Sequence, residues 1–132
     1  MELDSVRRHM SVYYIISVHS SMPYRAPELF QPQIGSMITC KSDIWSLGCT
    51  LYSLAFGYSP FEVEWRDDGI PRIVEPTALR IIGRWKFPPV AETHYSGHFR
   101  TLIQRLLSIN PEKRPTGEEL VHIVDNLQHS AV

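Results

Sequence analysis

The stretch from Ser42 to Phe56, SDIWSLGCTLYSLAF, carries more apolar bulk than one face of a helix can hold. Ile44, Leu47, Gly48, Leu51, Leu54 and Ala55 share one side at helical spacing, and Trp45, Cys49, Tyr52 and Phe56 load the others. A helix apolar nearly all round has to be surrounded, because any side left in water exposes large hydrophobic groups. Ser42 is the expected N-cap, with Asp43 in the first turn, where the helix dipole favours an acid. Gly57 stops the helix, and Ser59-Pro60-Phe61 turns the chain away. The remaining sequence is therefore read as the material that wraps this rod.

That material is mostly helical. Residues 22–38 form a Pro-rich, polar loop that opens on a short helical turn, with Pro27 suited to the first position and Glu28 and Leu29 continuing it. Residues 62–74 read as a surface loop around the Asp68-Gly69 turn signal. Pro76 opens a short helix through Ile82, closed by Gly83, and Pro88-Pro89 then forces extended chain. An amphipathic helix is expected from His98 to Leu107, with Phe99, Leu102, Ile103, Leu106 and Leu107 at its spacing, until Asn110-Pro111 interrupts it. Thr116-Gly117-Glu118-Glu119 is a capping box that starts a last helix bearing Leu120, Ile123, Val124 and Leu127. Only Ser11–Val18 has the β-branched and aromatic composition of a strand. The fold class is mainly α, with four to five helices around the central apolar one.

Composition excludes several functions. Thirteen Lys+Arg against fourteen Asp+Glu leave a net charge of −1, so no basic footprint points to nucleic acid. No apolar run reaches the roughly 18 residues that span a bilayer. Arg7, Arg8 and the run 10–18 imitate a secretory signal only faintly, since Glu2 and Asp4 spoil its basic start and no small-residue cleavage site follows. The two cysteines, Cys40 and Cys49, form neither a CxxC pair nor a disulfide ladder, so reduced thiols and a cytoplasmic chain are expected. Six histidines show no metal spacing; His94 and His98 are separated by Ser96 and Gly97, which mark a helix entrance.

Met22–Phe30, MPYRAPELF, contains Ala26-Pro27-Glu28, the element that closes protein-kinase activation segments. Then follow Lys41-Ser42-Asp43-Ile44-Trp45-Ser46-Leu47-Gly48-Cys49, the exit Gly57-x-x-Pro60-Phe61, and Asn110-Pro111-Glu112-Lys113-Arg114-Pro115-Thr116. In this order and spacing the chain resembles the C-lobe of a serine/threonine protein kinase domain over residues 20–128. It is most similar to the Numb-associated kinase group, in its myristoylated and palmitoylated branch. Residues 1–19 fall outside the resemblance, as an alternative exon, a read-through or a truncated gene model would leave them, and 129–132 form a tail.

The resemblance implies jobs for individual residues. Glu28 and Arg114 meet as a buried ion pair that ties the activation segment to the lower helices. Asp43 accepts hydrogen bonds from the backbone of the catalytic loop. Ser21 precedes the segment that receives substrate, and its hydroxyl serves the catalytic Asp and Lys. Met22, Pro23, Tyr24 and Arg25 build the substrate-side wall.

Phosphoryl transfer also needs a phosphate cradle, metal ligands and a base for the attacking hydroxyl. The sequence holds no G-x-G pair, no His-Arg-Asp and no Asp-Phe-Gly, so no catalytic, cofactor-binding or metal residue is assigned. ATP and Mg²⁺ are implied for a complete parent kinase and not for this chain alone. The expected partners are a protein substrate or the missing kinase half. A non-catalytic docking or scaffold module and a degenerate fragment are the alternatives. Without a catalytic loop and the helix before it, one side of the central helix should lie open to water.

Overall fold

A computed structural model describes residues 22–29, 40–65, 67–74 and 85–130. The expected strand at 11–18 and helix at 76–82 lie outside the described residues, as does Ser21. The central helix, α1, spans Lys41–Phe56. Its cap is Cys40, two residues ahead of the expected Ser42, and no side chain caps it. Ser42 instead lies buried within the first turn. The Cys40 carbonyl accepts the first bonds of the helix, from Asp43 N at 3.1 Å and Ile44 N at 3.2 Å, and the Lys41 ammonium ties this end to the carbonyl of Arg114. At the other end Gly57 adopts φ 90°, a left-handed conformation that glycine takes without steric cost, and its N–H closes on Ser53 O at 2.7 Å.

Helix α1 is wrapped on most sides but not all. Ile44, Trp45, Gly48, Cys49 and Tyr52 are buried, whereas Leu47 is 38% and Leu54 79% exposed. With Asp43 and Thr50, also exposed, they form one continuous stripe at helical spacing. The fully buried rod suggested by composition is thus open along one line.

The opposite side is closed by two further helices, α3 (Gly97–Leu106) and α4 (Gly117–Ser130), with the one-turn α2 (Ala91–His94) leading into α3. Ser96 caps α3 by accepting from Phe99 N at 3.2 Å, so the helix starts one residue before His98. Leu102, Ile103 and Leu106 point into the core. One apolar cluster joins Ala26, Leu29, Trp45, Cys49, Tyr52, Phe61, Ile103 and Leu107. A second joins Ile44, Leu102 and Leu106, with Leu51, Leu120 and Ile123 packed on it. The Thr116 hydroxyl accepts from Glu119 N at 3.1 Å, which supplies the threonine half of the expected capping box.

An aromatic cluster closes the C-terminal end of α1. Tyr52 touches the rings of Phe56, Trp85 and Phe87, and its hydroxyl donates to Lys86 O at 2.8 Å. The Tyr95 hydroxyl donates to Ala55 O at 3.0 Å, satisfying a carbonyl that the end of the helix leaves without an internal partner. Within the expected loop at 62–74 the described residues include a two-stranded ribbon, with β1 (Val63–Trp65) antiparallel to β2 (Pro71–Ile73). Asp68 organises the turn by accepting from Ile70 N at 3.0 Å and from Arg72 at 3.1 Å, with Gly69 at φ 74°. The turn signal was legible, but the flanking pairing depends on Val63 finding a buried seat.

Helix α1 packs closely against the end of α3 at Gly48. A Cβ there would lie 2.8 Å from Leu106 Cβ and 2.9 Å from Leu107 Cδ2. Alanine normally gains about 1 kcal/mol over glycine inside a helix. Overpacking here should reverse the sign, so Gly48→Ala is expected to lose about 1–3 kcal/mol in urea denaturation. An unchanged or higher midpoint would contradict the close approach.

Burial also sets the chemistry of the core. It pushes the Cys49 thiol far above its ordinary range, with Arg114 opposing only in part, and it raises the Tyr52 hydroxyl likewise. Both groups stay protonated in the folded chain where the unfolded chain has begun to ionise. Their contribution is therefore complete below the ordinary thiol value of about 8.5 and declines as pH rises past it, then past about 10 for the tyrosine. In the native protein at pH 8, a thiol reagent should label Cys40, which is exposed, and reach Cys49 only after unfolding.

Candidate functional site

Arg114 ends the short turn Pro111–Lys113, which Asn110 caps by accepting from Glu112 N at 3.0 Å. The chain leaves this turn extended, and the arginine side chain enters the core with 1% of the residue exposed. A guanidinium without partners would be very costly there. Nη1 donates to Glu28 Oε1 at 2.8 Å and Oε2 at 3.2 Å, across 86 positions of sequence, and to Lys41 O at 2.8 Å. Nε donates to Ser108 O at 2.8 Å and Nη2 to Ile109 O at 3.3 Å. The plane sits over the Trp45 ring, 5.0 Å from its centroid. One planar cation thereby ties together the segment carrying Glu28, the start of α1 and the turn after α3.

The segment ahead of Glu28 is fastened separately. Met22–Tyr24 and Pro27–Leu29 are single 3₁₀ turns. The Ser59 hydroxyl, fully buried, donates to Pro23 O at 2.6 Å, and the Ser46 hydroxyl donates to Tyr24 O at 2.8 Å. The Tyr24 and Ser53 hydroxyls bond at 3.1 Å. Leu29 N closes on Ala26 O at 3.0 Å.

The residues singled out in the sequence do not share one setting. Glu28 and Arg114 are brought together. Pro23 and Tyr24 are half-buried, and Arg25 is buried at 7% exposure. Asp43 lies on the exposed stripe of α1 with Leu47, Thr50 and Leu54. Lys41, Ser46 and Ser59 were missed. Ser46 did carry a signal, since a hydroxyl inside an otherwise apolar helix calls for a partner. Ser59 was read only as part of a turn. Among the described residues no group of His, Cys, Asp and Glu could hold a metal ion. The Trp45 indole N–H is buried and has no partner among the described residues.

What these segments build is part of a protein kinase C-lobe, and the chain belongs to the protein kinase domain family, whose model matches residues 6–124. The match starts inside the 1–19 segment that the motifs alone place outside the family. The chain is 39% identical over 109 residues to Serine/threonine-protein kinase ppk13 of Schizosaccharomyces pombe, covering 83% of this chain and 30% of that protein. It is 32% identical over 112 residues to Serine/threonine-protein kinase ENV7 of Saccharomyces cerevisiae, covering 85% and 29%. Human Serine/threonine-protein kinase 16 is 30% identical over 131 residues, covering 99% of this chain and 40% of the relative. Among solved structures, titin kinase with its flanking domains superposes with a TM-score of 0.57 at 25% identity, over 78% of this chain and 17% of that one. The chain therefore spans well under half the length of these relatives.

Removing one partner of the Glu28–Arg114 pair strands the other. Arg114→Ala is expected to cost about 3–5 kcal/mol, toward the lower end because Glu28 keeps a quarter of its side chain in water. Arg114→Lys should recover little, since a point ammonium cannot reproduce a fork bonded to Ser108 O, Ile109 O and Lys41 O at once. In a double-mutant cycle with Glu28→Ala the losses should be far from additive. Additivity within about 0.5 kcal/mol would show that the pair contributes no coupling.

Proposed function

We propose that this chain supplies the substrate-side lobe of a serine/threonine protein kinase, receiving a protein substrate along Met22–Arg25. ATP, Mg²⁺ and the phosphoryl-transfer residues then come from the rest of a complete kinase. The observation that carries this reading is the Arg114 guanidinium, which holds Glu28 and so anchors the chain just after the Met22–Arg25 segment. The Met22-Pro23-Tyr24-Arg25 form, with relatives named serine/threonine kinases, favours hydroxyl rather than phenol acceptors. In this reading the Ser21 hydroxyl serves the catalytic Asp and Lys of the completed enzyme, and Asp43 anchors the backbone of its catalytic loop. The exposed line of Asp43, Leu47, Thr50 and Leu54 is where that half would lie. Likeness to Serine/threonine-protein kinase 16 supports the Numb-associated group, and two unpaired thiols suit the cytoplasm.

A second reading is a non-catalytic docking module. It rests on the same surface together with a sequence that lacks His-Arg-Asp and Asp-Phe-Gly.

Thermal denaturation with Mg·ATP separates activity of the chain from activity of a parent. A ligand at about 100 times its Kd would add about 2.7 kcal/mol of stability. No shift is expected for this chain alone, and a clear shift would overturn the division of labour. A Ser-containing peptide should perturb the NMR signals of Tyr24 and Arg25 before those of α4. Perturbation confined to α4 would remove the substrate-side assignment.

A further inference from the structure

The Met22–Tyr24 turn ends with carbonyls that have no partner inside a turn so short. Such terminal acceptors, when buried, must be met from outside. Two serines of α1 and its exit meet them in succession. Ser59, with no solvent exposure, gives its one hydroxyl proton to Pro23 O at 2.6 Å, while its own N–H is taken by Glu62 Oε1 at 2.8 Å and its oxygen faces Phe61 N at 3.4 Å. Ser46 has two acceptors in reach, Tyr24 O at 2.8 Å and Ser42 O of its own helix at 3.3 Å. The shorter distance commits its proton to the turn. Ser53 completes the set through the Tyr24 hydroxyl at 3.1 Å. These donors lie within the same lobe, between α1 and the Ser59-Pro60-Phe61 bend.

We infer that Ser46 and Ser59 are positioning residues that pre-form the substrate-side segment from within this lobe, so that its shape does not wait for the catalytic half. The inference deepens the substrate-side reading and rests on it for the word substrate. The pre-forming itself is tested independently.

The reporter is the Leu29 amide, which bonds Ala26 O and protects only while the segment is folded, compared with the Leu107 amide on Ile103 O at the end of α3. In hydrogen exchange of the full 132-residue chain, Ser46→Ala and Ser59→Ala should each speed Leu29 about three- to tenfold, the change that one net hydrogen bond supports. Leu107 should stay within about twofold, as expected for local rather than global opening. Ser46→Thr keeps the hydroxyl and should restore the wild-type Leu29 rate, which a merely structural role for the serine's size would not require. Unchanged Leu29 exchange in both alanine variants would overturn the inference. So would equal acceleration of Leu29 and Leu107, because the serines would then act only on global stability. A Ser-containing peptide titrated into the same samples separates the two claims. If the wild type binds no peptide, the substrate-side reading fails while the exchange result still decides the pre-forming. If it binds, Ser59→Ala should weaken binding by a similar factor.

Discussion

Everything near the functional surface depends on where one guanidinium goes. Arg114 is taken out of water almost completely, and burial of that charge is tolerable only because Glu28, three backbone carbonyls and the Trp45 face surround it. Those partners come from segments far apart in sequence. The ion pair is therefore a statement about topology before it is one about stability: replacing such a pair by well-packed apolar groups is often neutral, whereas a lysine or an unpaired acid is not tolerated. Lys41 reinforces the arrangement from the other side by donating to Arg114's own carbonyl, so the start of α1 and the arginine turn hold each other.

Around that knot, the core is built by close approach rather than by size. Gly48 allows Leu106 and Leu107 to lie against the backbone of α1, while Trp45 and Phe61 stack at 5.0 Å and Tyr52 centres the aromatic cluster at the far end. One line of α1 remains in water. On a helix this apolar, Leu47 and Leu54 beside an exposed acid are the side of the rod that nothing among the described residues covers. In the reading proposed here, chemistry and covering come from the same missing half.

Much of this was legible in residues. The central helix and the capping threonine of α4 follow from apolar spacing and cap chemistry, and the meeting of Glu28 with Arg114 from the family resemblance that the motifs carry. What stayed hidden follows from tertiary contacts. Ser42 looks like a cap, yet the helix starts at Lys41 and the serine is buried within its first turn. The ribbon at Val63–Ile73 needs a buried seat for Val63 that no local pattern announces. Arg25, expected in the substrate-side wall, is buried, which no local pattern announces. Ser46 and Ser59 act through hydroxyl protons given to carbonyls 22 and 36 positions away, a relation invisible to periodicity.

The reading proposed above gives this chain the substrate side of a kinase and leaves phosphoryl transfer to the rest of a complete kinase. Transfer of radiolabelled γ-phosphate from Mg·ATP to Ser- and Thr-containing peptides tests it most directly. The chain would be assayed alone and after co-expression with the nucleotide-binding portion of a relative such as ppk13. The account predicts no transfer by the chain alone and transfer by the pair, abolished when Arg114 is replaced by alanine. Transfer by the chain alone would contradict it.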